Sequence, residues 1–109
     1  MNLIVMKSCK CKLIKTISNI LTRNQSRVLI IDASDKNTII DCTWLAKEHR
    51  YLAIDSFNEI TGSIIPEIKD EFNLIIFYTW FKYSDYTQEV KTLINLFGED
   101  KLVFMFNEL

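Results

Sequence analysis

Leu3-Ile4-Val5-Met6-Lys7-Ser8-Cys9-Lys10-Cys11-Lys12-Leu13-Ile14-Lys15-Thr16 changes period halfway along, and that change sets the fold class. Asn2 to Met6 is a short, continuous apolar run, the pattern of a strand covered on both faces. From Leu13 onward the apolar residues Leu13, Ile14, Ile17, Ile20 and Leu21 recur at spacings of three and four. That spacing lays one apolar stripe along a helix. Lys7 to Lys12 is the loop between them. A buried strand passing through a short loop into a helix is the first half of a βαβ unit.

The rest of the chain repeats the rhythm. Arg27-Val28-Leu29-Ile30-Ile31-Asp32 is a second β-branched run, closed by a carboxylate. Thr43 to His49 reads as a short helix anchored by Trp44 and Leu45, with His49 a cation at its C-terminal end. Tyr51 to Asp55 is a third apolar run, again ending in aspartate. Pro66 suits the first turn of a helix, where its missing N–H costs nothing, so Ser63 to Phe72 is expected to be helical. Asn73 to Trp80 is the strongest strand. Asp85 and Gln88 form a version of the capping box, and Tyr86, Val90, Leu93, Ile94 and Phe97 make the buried face of the helix they open. Gly98 stands where a left-handed C-cap glycine belongs. Leu102 to Phe106 closes the series. The expected fold is α/β: a three-layer sandwich with about five mostly parallel strands flanked by helices, P-loop or Rossmann-like.

Composition narrows the class. The 109 residues fit one domain, with 49% hydrophobic and 25% charged side chains, which is ordinary for a soluble globular protein. The net charge of −1 supplies no field to attract nucleic acid. Binding of that kind would fall to a local patch, and Lys7, Lys10, Lys12 and Lys15 form the densest one. No segment approaches the length of a membrane span, and Met1 to Met6 is too short for a signal peptide. Three cysteines, an odd number, point to reduced thiols and a cytoplasmic setting rather than a disulfide framework. Cys9 and Cys11 lack a second cysteine pair and His49 is the sole histidine, so no metal site is expected.

The Lys-x-x-x-x-Lys-Thr spacing from Lys10 to Thr16 is that of a phosphate-binding loop, yet the stretch holds no glycine. Such a loop needs glycine for backbone N–H groups to converge on an anion with φ > 0. Together with Arg-Val-Leu-Ile-Ile-Asp-Ala, the stretch resembles the opening of the ParA/MinD group of deviant Walker ATPases. Members partition plasmids and chromosomes or position division machinery. Their loop reads Lys-Gly-Gly-x-Gly-Lys-Thr; here Cys11, Lys12 and Ile14 replace the glycines. The resemblance places Lys10 on the signature lysine, Lys15 on the phosphate-contacting lysine and Thr16 on the magnesium-binding hydroxyl. It puts Asp32 at the end of the second strand and Asp55 near the attacking water or metal.

These residues lead to a first expectation and two alternatives. The first is a non-catalytic P-loop-like domain without cofactor, an accessory or regulatory protein working through a protein partner or as a homodimer. Trp80, Phe81 and Tyr83, at or past a strand end, are its interface candidates. The alternatives are an active ParA/MinD-type ATPase holding Mg-ATP at Lys10, Lys15, Thr16, Asp32 and Asp55, or a nucleic-acid adaptor using the Lys7 to Lys15 cluster. The slightly acidic balance counts against the adaptor.

Overall fold

The computed structural model describes residues 2–6, 10–23, 27–34, 47–55, 59, 69–79 and 87–107. Five strands form one all-parallel sheet: β1 (Asn2–Met6), β2 (Val28–Asp32), β3 (Arg50–Ala53), β4 (Leu74–Thr79) and β5 (Leu102–Asn107). Their spatial order is β1-β5-β4-β2-β3. Among the described residues two α-helices accompany them, α1 (Lys10–Arg23) between β1 and β2, and α2 (Thr87–Phe97) between β4 and β5.

The register sorts the side chains onto two faces. Leu29, Ile75 and Leu102 align across β2, β4 and β5, as do Ile31, Phe77 and Phe104 two residues further on. That set packs against Val90, Leu93 and Phe97 of α2. The Phe77 and Phe104 rings lie 5.2 Å apart at 35°, and Phe106 meets Phe104 edge-on at 6.0 Å. On the opposite face Val28, Ile30, Ile76, Tyr78, Val103 and Met105 receive Leu13 and Ile17 of α1, with Ile20 and Leu21 alongside. Leu13 and Ile17 are 1% and 0% exposed. Burying each contributes about 1.5–3 kcal/mol to docking the helix. Because both faces are covered, the central strands carry no polar alternation: β2 is buried at every position.

Several local expectations are corrected. Lys47, Glu48 and His49 form a turn and bend rather than a helix end. His49 stands in the bend, not in a helix. Its Nδ1 accepts the Val28 N–H at 3.0 Å, so the ring fastens the start of β2. Lys69–Glu71 is a 3-10 turn, and Phe72 after it is a core residue under the Arg27 guanidinium, 5.2 Å from the ring centroid. The remainder of those two expected helices, residues 43–46 and 63–68, lies outside the described residues, as do Asp85 and Tyr86. Gly98 follows α2 with a positive φ of 89° and donates to the Ile94 carbonyl at 2.9 Å, but it does not form the expected left-handed cap. Its ψ of 141° falls outside the left-handed helical region, in backbone space favourable only to glycine.

Candidate functional site

In open parallel sheets, ligands lodge beyond the carboxyl ends of the strands, where the winding direction reverses. Here β3 pairs on one side of β2 and β4 on the other, so the reversal lies between β2 and β4. Asp32 and Thr79 end those strands, and Ala33 and Ser34 begin the turn above them.

Asp32 is the centre of this region. It is 0% exposed, and Ser34 beside it is 1% exposed. Ser34 donates twice to Asp32 Oδ1, from its backbone N–H at 3.0 Å and its hydroxyl at 2.6 Å. An aspartate accepting from two residues on is an Asx turn, which reverses the chain without help from glycine. Tyr51 donates its hydroxyl to Asp32 Oδ2 at 2.7 Å. The register explains the reach. Tyr51 aligns with Ile30 while Asp32 aligns with Ala53, so the phenol extends two residues forward along the same face. Backbone bonds close both flanks: Ile54 N–H donates to the Asp32 carbonyl at 2.9 Å, and Ala33 N–H donates to the Tyr78 carbonyl at 2.8 Å. Both carboxylate oxygens are therefore engaged by the protein's own donors, in a setting where a lost donor would be costly. The chemistry on view is that of a clip. It ties the turn after β2 to the edge strand β3.

Asp55 is different. It is exposed, and its backbone N–H donates to Glu59 Oε2 at 2.6 Å. Its neighbour Ile54 is pinned to Asp32, so the two aspartates stand on adjacent turns, one within the fold and one in solvent.

The lysines of the motif belong to α1. The run Lys10 to Thr16 lies wholly within α1, which begins at Lys10, so the loop expected to reach Lys12 is helical over its second half. Lys15 is exposed and Thr16 half-buried. The strand leading into that helix, β1, is an edge strand with β5 and β4 between it and β2. Three strand spacings put the ends of β1 and β2 roughly 14 Å apart. Among the described residues, no group of three or more His, Cys, Asp or Glu is placed to hold a metal ion. No helix among them is long and apolar enough to cross a membrane. The interface candidates Trp80, Phe81 and Tyr83 lie outside the described residues, directly after Thr79 in the chain.

Sequence reasoning passed over Tyr51 and Ser34 as partners of Asp32. The Asp32-Ala33-Ser34 spacing was a legible Asx-turn signal; the Tyr51 contact depends on register and had none. Comparison of the chain with protein-family models, with curated proteins and with solved structures finds no match.

Proposed function

We propose that this chain is a non-catalytic, P-loop- or Rossmann-like α/β domain that acts through protein–protein contact, as an accessory or regulatory protein in the cytoplasm. The observation that carries the reading is the state of Asp32. Its carboxylate is enclosed and engaged by Ser34 and Tyr51, whereas a nucleotide site of the ParA/MinD kind would ask it to face Mg-phosphate. The helical course of Lys10 to Thr16 supports the same reading, because a continuous helix does not wrap its backbone round a phosphate chain. Trp80, Phe81 and Tyr83 follow the carboxyl end of the buried strand β4 and supply the aromatic content favoured at interface centres.

Thermal melting with and without Mg-ATP tests the first half of the reading. A ligand at 100 times its Kd stabilises a protein by about 2.7 kcal/mol. No shift is expected. A shift that disappears in Lys15→Ala would replace the proposal with the ATPase. Light scattering over a concentration series, together with pull-down of co-purifying protein, tests the second half. Association lost in Trp80→Ala is the expected result, and a strict monomer without a protein partner would end the interaction reading. Duplex DNA binding that weakens steeply with salt would instead assign the Lys7 to Lys15 cluster to nucleic acid.

A further inference from the structure

We draw no further inference here: the strongest candidate, the buried Asp32, Ser34 and Tyr51 cluster at the carboxyl ends of β2 and β3, belongs to the site already described, and its hydrogen bonds stay within the protein with no second observation pointing to a ligand.

Discussion

The turns after β2 and β3 sit side by side, and each carries an aspartate released by an apolar run, yet the two carboxylates live in opposite surroundings. Asp32 ends a strand with neighbours on both sides, and Ser34 and Tyr51 close over it. Asp55 follows a strand paired with β2 on one side, and it remains exposed. Position across the sheet, rather than residue type or the preceding run, separates a structural clip from a solvated turn. The exposed carboxylate can change without consequence for the fold. The enclosed one cannot, since its donors have already given up water.

Asp32→Ala tests that contrast most severely. The Ser34 N–H, the Ser34 hydroxyl and the Tyr51 hydroxyl would each lose this acceptor, at about 1–3 kcal/mol for a buried group deprived of a hydrogen bond. Destabilisation of about 3 kcal/mol or more is expected in the urea midpoint. Asp32→Asn keeps the shape and one carbonyl acceptor, and should recover a large part of the loss. Equal damage from both variants would mean that charge, not hydrogen bonding, governs the site.

Tyr51→Phe comes next. It removes one donor to a charged group, worth about 1.5–3 kcal/mol. The loss should also appear as faster amide exchange in β3, because the phenol fastens that strand to the end of β2. Unchanged exchange at Leu52 and Ile54 would show that the backbone ladder holds β3 alone. Ser34→Ala leaves the backbone N–H bond intact and should cost about 1 kcal/mol. Combined with Tyr51→Phe in a double-mutant cycle, it should be non-additive, since both residues serve one carboxylate. The smallest effect belongs to Asp55→Ala, within about 0.5 kcal/mol, as for ordinary surface positions. A loss comparable to that of Asp32→Ala would erase the distinction between the two turns.

Much of the architecture was legible because both sheet faces are covered. Runs such as Leu29-Ile30-Ile31 and Leu74-Ile75-Ile76-Phe77 admit a buried strand readily, and the stripes through Leu13 and Ile17 and through Val90, Leu93 and Phe97 fix which helix sides dock. The turn at His49 was misread because helical pattern over a few residues is weak evidence. At His49 the chain instead bends, and the imidazole takes a long-range bond from the Val28 N–H. The lysine run was read as a loop by its resemblance to a motif, although Lys, Cys, Leu and Ile without glycine also permit an ordinary helix.

From the linear order of residues alone came the alternation of strand and helix, the faces they bury and the glycine that ends α2. Those features depend on neighbours within a few positions, where side-chain period and backbone preference act directly. Strand order, and with it the separation of β1 from β2 and the meeting of Tyr51 with Asp32, was decided only when the sheet assembled. Parallel strands joined by long crossovers can be arranged in several ways with similar local energy, so the choice among them rests with the packed whole.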